Sequence, residues 1–559
     1  MDRVVLVRRG ESTIEATIEA TVEARSSSDV GTAPSVVRMT TDELPGFVRE
    51  REASPVRWVW DDTTRWYPGL LDAGVRVERC WDLRLSHALL RRTPFVDQQL
   101  LADDQARGWD VLAPVTGTDA ALFPLADPAD QLDPAAEDRR QQRALAGSTE
   151  RSRLTLLLAA ESSGALVAAE MTHAGLPWRA EVHEELLTDL LGPRPAAGSR
   201  PAGLERLLAV VRDAFAAPAL NPDSPGEVLR ALQAAGLPVE DTRSWTLEQL
   251  DHPGIPALLE YKKLSRLVQA NGWTWLDTWV RDGRFRPRFL PGGVVTGRWA
   301  STGGGALSMP LQVRPAAVAD DGWRFVVADV AQLEPRVLAG MSRDAAMAEA
   351  ARSTDLYAGM VASGAVASRA DAKLGMLGAM YGGTRGESGR MMPRLTRRYP
   401  HAIGLVEEAA RAGERGEVVH TLLGRGSPAP SRGDGSDAPG EPPEERGSPA
   451  DRDRHRRAWG RFTRNFVVQG TGAEWALCWL ADLRNRLWRL GGTGTVEQRP
   501  HLVFFLHDEV VVHTPEELAP AVVEEVRRSA VQAGRLLFGD FPIDFPLDVA
   551  VVRSWADAD

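Results

Sequence analysis

Apolar and polar positions along this chain fall into blocks with different rhythms, and the rhythms predict different elements. Between about Pro55 and Leu90, VRWVWDD and GVRVERCWDL read as short strands, and LSHALLR reads as an amphipathic helix, the alternation of an α/β region. A long apolar run beginning near Leu154, LTLLLAAESSGALVAAEMTHAGLPW, predicts a helix that Gly175 and Pro177 stop, and a domain boundary at that point. Residues 180–290 read as helices separated by Pro and Gly, including a charged one around ALLEYKKLSRLVQ. WRFVVADV is a strand, the chain is helical from Ala345 to Arg398, and RFTRNFVVQGTGAEWALCWLADLRNRLWRL is a further helix. HLVFFLHDEVVVH then joins two apolar runs through a polar break, the pattern of a hairpin, and an α/β tail follows.

Three stretches break the rhythm. Around residues 14–24 a TIEATIEATVEA repeat can extend a helix or form an unordered insertion. Residues 114–150, rich in Ala, Asp and Pro, read as loop, and residues 426–457 hold too few apolar side chains among Pro, Gly and mixed charge to pack, so they read as a disordered insertion.

Composition narrows the class. At 559 residues the chain has room for three or four domains of roughly 150 residues. It has 43% hydrophobic and 26% charged residues, no uninterrupted apolar window of about 18 residues, and no apolar core of a signal peptide at its start. Two cysteines, Cys80 and Cys478, exclude a disulfide scaffold and fit a reducing cytoplasm. A net charge of −11 argues weakly against a polyanion partner, because arginines can be confined to one groove while acidic surface dominates the sum. Among 66 basic residues only Lys262, Lys263 and Lys373 are lysines, a usage that fits a GC-rich genome and singles out each lysine.

The candidate chemistry starts from carboxylates at strand ends. Asp329 closes the apolar run FVVA, and Asp508 with Glu509 sits where the two runs of the hairpin meet. An acid there is costly unless a cation meets it, so the set suggests a divalent metal site for phosphoryl transfer. Asp329 can equally cap the helix at LEPRVLAGM, and the HDE break can be a simple polar turn. In SRADAKLGMLGAMYGG, Arg369, Lys373, Leu377 and Tyr381 recur every four residues and share one helix face. Two cations and an aromatic on one face suit a triphosphate and a base, against the plainer reading of a solvated basic face.

These blocks resemble the polymerase domain of the family A, DNA polymerase I type, enzymes. VVADVAQLEPRVLAG is similar to the family's D-Y-S-Q-I-E-L-R-V-L-A block, RADAKLGMLGAMYGG to its R-x-x-x-K-x-x-x-F-G-x-x-Y-G helix, and HLVFFLHDEVVVH to its V-H-D-E turn. TGRWASTGGGALSMP, HTLLGR and RFTRNFVVQGTGAEW resemble three further blocks in the same order, and LLEYKKLSRL resembles the thumb helix. The resemblance covers about residues 163–559. It implies an α/β multidomain fold: a right hand of thumb (about 163–290), palm (291–344 and 461–559) and fingers (345–425) behind an exonuclease-like, ribonuclease-H-like domain at 1–155.

By the same resemblance, Asp329 and Asp508 hold two Mg2+ ions, for which Mn2+ can substitute, with the Val330 carbonyl as a further ligand and Glu509 behind them. Arg369 and Lys373 hold the triphosphate, Tyr381 lies near the template base, Gln332 lies at the nucleotide, and Glu334 is the acid that excludes a ribose 2′-hydroxyl. Arg298 and Gln469 contact the primer–template minor groove, His507 lies near the primer end, and Arg461 and Asn465 support that groove. The implied partners are primer–template DNA and deoxynucleoside triphosphates, for a monomer away from membranes, in the cytoplasm at the nucleoid.

Departures qualify the match. Leu377 stands where the family has an aromatic facing the nucleotide, Pro335 replaces an aliphatic residue, and Val467 replaces a proline. In RWYPGLLDAGVRVERCWDLRLSHALL, which resembles the exonuclease domain, Arg65 and Ser162 fall where catalytic acids belong, Asp82 falls on a non-catalytic position, and no early D-x-E is found. The expectation is an exonuclease-like domain without proofreading and no 5′-nuclease domain. Two rivals remain: a DNA-binding accessory protein with impaired synthesis, and a 3′-5′ exonuclease with a divergent site.

Overall fold

In the amino-terminal region the strands bury both faces. Val4 and Leu6 enter one core with Trp58 and Trp60, while their neighbours Val5, Val7 and Val59 enter another with Trp81. The computed structural model describes residues 1–10, 12–20, 34–102, 106–110, 132–196, 198–383, 386–430 and 449–558. Five strands, β1 (Asp2–Arg8), β2 (Thr13–Ala20), β3 (Ser35–Thr40), β4 (Val56–Trp60) and β5 (Cys80–Asp82), form one sheet in the order β3-β2-β1-β4-β5. The first three pair antiparallel, and β4 and β5 run parallel to β1. Such a sheet-containing domain is consistent with the nuclease-like domain expected at the amino terminus.

The reading of the repeat at 14–24 is thereby corrected over its described part, because residues 13–20 are a strand paired to β1 from Asp2↔Ala20 to Arg8↔Ile14, while residues 21–24 lie outside the described residues. Its Ile and Ala positions alternate with Thr and Glu, and Ile14, Ala16 and Ile18 are buried, which is strand periodicity. Within the stretch read as loop, Pro134–Ala146 is a helix capped by Asp133; residues 111–131 lie outside the described residues.

The predicted apolar helix is present as α1 (Arg151–Ala174). It is long and apolar enough to span a membrane, yet here it is a core helix: Leu166 joins one amino-terminal core and Leu154, Leu157 and Leu158 the other. Gly175, at φ 70°, ends it. The boundary between the two compact units of the chain falls there: one comprises Met1–Ala174, Phe289–Ala300 and Val326–Val551, the other Gly175–Arg288, Ser301–Phe325 and Val552–Asp559.

The second unit is mostly helical, as the Pro and Gly punctuation predicts. Its helices Ala202–Ala214, Pro225–Ala234 and Gly254–Asn271 meet through Val211, Val228, Leu232, Ile255 and Leu258. Beside them Trp178, His183, Trp275 and Phe285 form an aromatic cluster with ring centroids 4.8–5.8 Å apart, and burial pushes the His183 imidazole down to about 4.

In the first unit a second sheet carries the acidic strand ends. Its strands β6 (Trp323–Val330), β7 (His501–Leu506), β8 (Glu509–Pro515) and β9 (Leu547–Val552) lie in the order β7-β8-β6-β9. Helices follow β6 as expected: α2 (Leu333–Ser342), α3 (Leu356–Ala362), α4 (Arg369–Tyr381), α5 (Gly386–Arg398) and α6 (Pro400–Glu414). The 42-residue α7 (Pro449–Leu490) packs against α1, α6 and α8 (Ala519–Phe538).

Both ends of the stretch 426–457, expected to be a disordered insertion, are ordered. Gly426 bridges to His420, the Ser427 N–H donates to the Val419 carbonyl at 2.8 Å, and residues 449–457 belong to α7. Residues 431–448 lie outside the described residues.

Two buried arginines fasten this unit. Arg484 on α7 donates to Glu170 on α1 at 2.6 and 2.8 Å, to the Tyr67 hydroxyl at 3.1 Å and to the Glu78 carbonyl at 2.9 Å. Arg336 on α2 donates to the carbonyls of Ala331, Ala351, Ser353, Thr354 and Asp544 at 2.5–3.1 Å. Burial pushes its guanidinium down to about 10, still charged at neutral pH. Five carbonyls from three segments therefore share one cation that no other residue type could replace in full. Arg336→Met should lower the free energy of unfolding in urea by about 3 kcal/mol or more, since hydrogen bonds to charged groups contribute most and the carbonyls would be left buried; a change below about 1 kcal/mol would contradict this role.

Candidate active site

The two acidic strand ends meet through the backbone. In β6 every residue from Phe325 to Val330 is buried except Asp329, which is exposed. The residue that caps α2 is Gln332, at φ 50°, so the alternative of Asp329 as a helix cap falls away. The hairpin predicted for HLVFFLHDEVVVH is present, with Leu506 paired to Glu509 and only His507 and Asp508 between. His507 has φ 60°, and the Asp508 N–H donates to the Leu506 carbonyl at 2.8 Å, closing a three-residue turn. Such a turn with positive φ is rare and strained in an L-residue, and strain of this kind clusters at functional sites. The Val330 N–H donates to the Asp508 carbonyl at 3.1 Å, which fastens the tip of the hairpin beside Asp329.

The electrostatics follow from this crowding. Burial raises the Asp508 carboxyl above the usual range, and Arg298 partly offsets that. His507 is held below the ordinary imidazole range, first by desolvation and then by Arg298, against the opposing pull of Glu334. Arg298 forms an ion pair with Glu334, and the Tyr381 hydroxyl donates across both Glu334 oxygens at 2.8 and 3.0 Å. Burial, then the Glu334 charge, pushes the Tyr381 phenol up to about 12, while a hydrogen bond with Gln469 works the other way. Arg298, Glu334, Tyr381 and Gln469, from four distant segments, thus form one polar chain beside Asp508.

Helix α4 carries its predicted face. Ser368 caps it by accepting from the Asp371 N–H at 3.1 Å, and Gly382 at φ 78° ends it. Arg369 pairs with Asp355, itself the cap of α3, and lies 5.7 Å over the Tyr357 ring. Lys373 is exposed and forms no ion pair among the described residues. Leu377 is half-buried and Tyr381 is 40% exposed, so that the hydroxyl is engaged while the ring is open to solvent. The Gln332 amide oxygen accepts from the Leu356 N–H at 3.0 Å, at the start of α3.

On α7, Arg461, Asn465 and Gln469 repeat every four residues and share a face. The stem of Arg461 packs so closely on Gly382 that a side chain there would collide with it. Glu509 is half-buried as the first residue of β8. Two supporting residues were not singled out from the sequence. Arg336 holds the turn between Asp329 and Glu334, and Arg464 donates to the Ala379 carbonyl at 2.8 Å and to Glu407 at 2.7 Å, fixing the last turn of α4 to α7. The only signal for either is an arginine inside an apolar block.

The donor set suits a hard divalent cation. Two carboxylates at adjacent strand ends, one of them raised by burial, gain from a positive charge, and Mg2+ is held by one or two carboxylates plus waters and substrate phosphates. Among the described residues no group of three or more His, Cys, Asp or Glu side chains is arranged to enclose a metal by itself, which leaves positions for backbone carbonyl, water and substrate oxygens.

The chain resembles known proteins in the same sense. Residues 233–557 match the sequence profile of DNA polymerase family A. A thermostable DNA polymerase I of Thermus filiformis is 28% identical over 344 residues, covering 55% of this chain and 37% of that protein. DNA polymerase I of Pseudomonas aeruginosa is 24% identical over 438 residues, covering 71% of this chain and 42% of that protein. The chain therefore spans less than half the length of these curated relatives. Among solved structures, the POL domain of Pol1 from M. smegmatis, in complex with DNA primer-template and dNTP, superimposes with a TM-score of 0.67 at 18% identity, covering 100% of this chain and 96% of that one. The profile match covers more than half of the residues, from the helical unit through both acidic strand ends: this chain belongs to DNA polymerase family A.

Proposed function

We propose that this chain is a template-directed DNA polymerase, adding deoxynucleotides to a primer 3′-hydroxyl, with Asp329 and Asp508 as its catalytic carboxylates. The observation that carries the reading is the backbone bond from Val330 to Asp508, which joins two acidic strand ends within a chain of this family. It acts as a monomer on DNA in the cytoplasm, with thumb, palm and fingers at about 163–290, 291–344 with 461–559, and 345–425.

Family A polymerases use divalent metal ions, and Asp329 and Asp508, with the Val330 carbonyl and Glu509 nearby, would hold two Mg2+ ions. Bound there, such ions lower the pKa of the primer hydroxyl and offset charge on the transferred phosphoryl group and the departing pyrophosphate. The residues around them orient the reactants. Lys373 is a point charge for the triphosphate, and Arg369 joins it by exchanging Asp355 for phosphate. Gln332 fixes the start of α3 behind these two cations. Glu334, held by Arg298 and Tyr381, presents a carboxylate that a ribose 2′-hydroxyl would crowd. Arg298, Gln469 and His507 line the primer–template side, with Arg461 and Asn465 on the same face of α7 as Gln469. Leu377 offers the nucleotide an aliphatic surface without the stacking face of an aromatic ring.

The amino-terminal domain is proposed to lack proofreading. Its strand-end acids are already occupied: Asp61 by Arg65 and Trp66, Asp62 by the Thr64 N–H at 2.9 Å and Arg84 at 2.6 Å, and Asp82 by Thr63 and the Leu85 N–H at 2.7–2.9 Å. Ser162 accepts from the Asp82 N–H at 3.1 Å, and Arg8 at the end of β1 lies 4.7 Å over the Trp66 ring. Guanidinium groups stand where metal-holding carboxylates would be needed.

Primer extension with Mg2+ and four deoxynucleotides tests the main reading. Asp329→Ala and Asp508→Ala should each slow extension by about 1,000-fold or more while primer–template affinity stays within about threefold; chelation should stop the wild type and Mg2+ restore it. Absence of extension by the wild type would overturn the reading. Glu334→Ala should raise incorporation of ribonucleotides relative to deoxynucleotides on the order of tenfold or more, equivalent to about 1.4 kcal/mol, and an unchanged ratio would remove Glu334 from sugar selection. Without nucleotides, a 5′-labelled primer should remain intact in Mg2+; stepwise shortening from the 3′ end would contradict the loss of proofreading.

A further inference from the structure

A buried ion pair joins Glu161 to Arg425 at 2.5 Å across 264 positions of the chain. Glu161 lies on α1, whose Leu154, Leu157, Leu158 and Leu166 belong to the amino-terminal cores, and its neighbour Ser162 accepts from the Asp82 N–H. Arg425 lies in the segment 419–427, which packs on the same amino-terminal region: the Phe95 and His420 rings are 4.7 Å apart, and a side chain on Gly426 would collide with the Arg92 carbonyl. From α7, Glu474 accepts from the Thr421 hydroxyl and from the Leu423 N–H at 3.0 Å. Burial pushes the Glu474 carboxyl up to about 7, so that at neutral pH it carries only part of a charge, and Glu161 is the acid that Arg425 pairs with directly.

The pair forms the floor of the turn that presents Arg298. Two glycines of that turn make room for it: a Cβ on Gly292 would collide with Glu161 Oε1, and a Cβ on Gly297 would collide with the Arg425 guanidinium. Both have positive φ, 62° and 87°, which other residues adopt only under strain. Between them the Gly297 N–H donates to the Val294 carbonyl at 2.8 Å, and the Val294 N–H donates to the Arg298 carbonyl at 3.1 Å, closing the turn. The backbone at Gly297 therefore rests on a planar guanidinium, a flat face that a lysine ammonium does not have. Arg298, the next residue, pairs with Glu334 and is one of the charges felt by Asp508 and His507. A shift of the floor is passed to the site through that one side chain.

We propose that Arg425, anchored by Glu161, is a positioning residue for Arg298, so that α1, a helix of the amino-terminal cores, sets the geometry of nucleotide addition. The inference rests on the polymerase reading for the reaction it tunes. A pair that only stabilised the fold would loosen many elements when broken and would not single out Arg298.

Single-turnover primer extension and amide hydrogen exchange on the full chain test this with two variants: Glu161→Gln removes the anchor, and Arg425→Lys keeps the charge but loses the flat face. At saturating nucleotide each should slow extension about tenfold while apparent nucleotide affinity stays within about threefold, because Arg298 lines the primer–template side and a small misplacement there costs rate. In an Arg298→Ala background neither should cost more than about a further twofold, since the residue through which they act is gone. Exchange of the amides in 293–299 should rise about tenfold in Glu161→Gln, with β6 and α4 unchanged. Either variant extending within about twofold of the wild type, losses that multiply in the Arg298→Ala background, or exchange that rises evenly along the chain would overturn the proposal. A wild type that extends no primer would sink the polymerase reading instead, and exchange in 293–299, confined or even, would still decide whether the pair holds the turn.

Discussion

The bond from the Val330 N–H to the Asp508 carbonyl is the constraint on which the rest of the site depends. It pins the tip of the β7–β8 hairpin to the end of β6, and so brings together two acids that are 179 positions apart in the chain. Each lies at the end of an apolar strand, where a lone carboxylate is disfavoured, and Asp508 bears that cost as a raised pKa. The polar chain from Arg298 through Glu334 and Tyr381 to Gln469 depends on the same placement, because Glu334 sits in the first turn of the helix that follows β6. Arg336, by gathering five carbonyls, keeps that turn from relaxing.

The amino-terminal sheet shows the opposite fate for the same chemical feature. Asp61, Asp62 and Asp82 also close apolar strands, but Thr63, Thr64, Arg65 and Arg84 satisfy them locally, through helix caps and ion pairs. Carboxylates engaged in this way stabilise the fold and have little left to offer a metal. At the second sheet Asp329 is exposed near the end of β6 and Asp508 is half-buried in the hairpin turn, with the cationic face of α4 carried by a helix that follows.

Much of this was legible in the sequence, for identifiable reasons. The strand ending in Asp329, the hairpin at Asp508 and the helix face of Arg369, Lys373 and Tyr381 follow from local periodicity, which one segment is enough to reveal. The strand at 13–20 was harder, because a TIEA repeat suits either a helix or a strand until its pairing with β1 decides. Disorder inferred from composition took in ordered residues at both ends of its range: pairing with His420 orders Gly426, and α7 extends back to Pro449 by continuing a helix whose packed part lies further on. Partners distant in sequence were invisible. Nothing local announces that Arg298 meets Glu334, that Gln332 caps a helix, or that Arg336 and Arg464 spend their charge on carbonyls and a neighbouring helix.

If the bond between Val330 and Asp508 makes one device of two aspartates, they must fail together. The direct measurement is a double-mutant cycle on single-turnover primer extension with Asp329→Asn, Asp508→Asn and the pair, each saturated with primer–template. The account predicts that the double variant extends no more than about tenfold more slowly than the slower single variant, the non-additivity of groups that act as a unit. Losses that multiply, or either single variant retaining near wild-type extension, would contradict it.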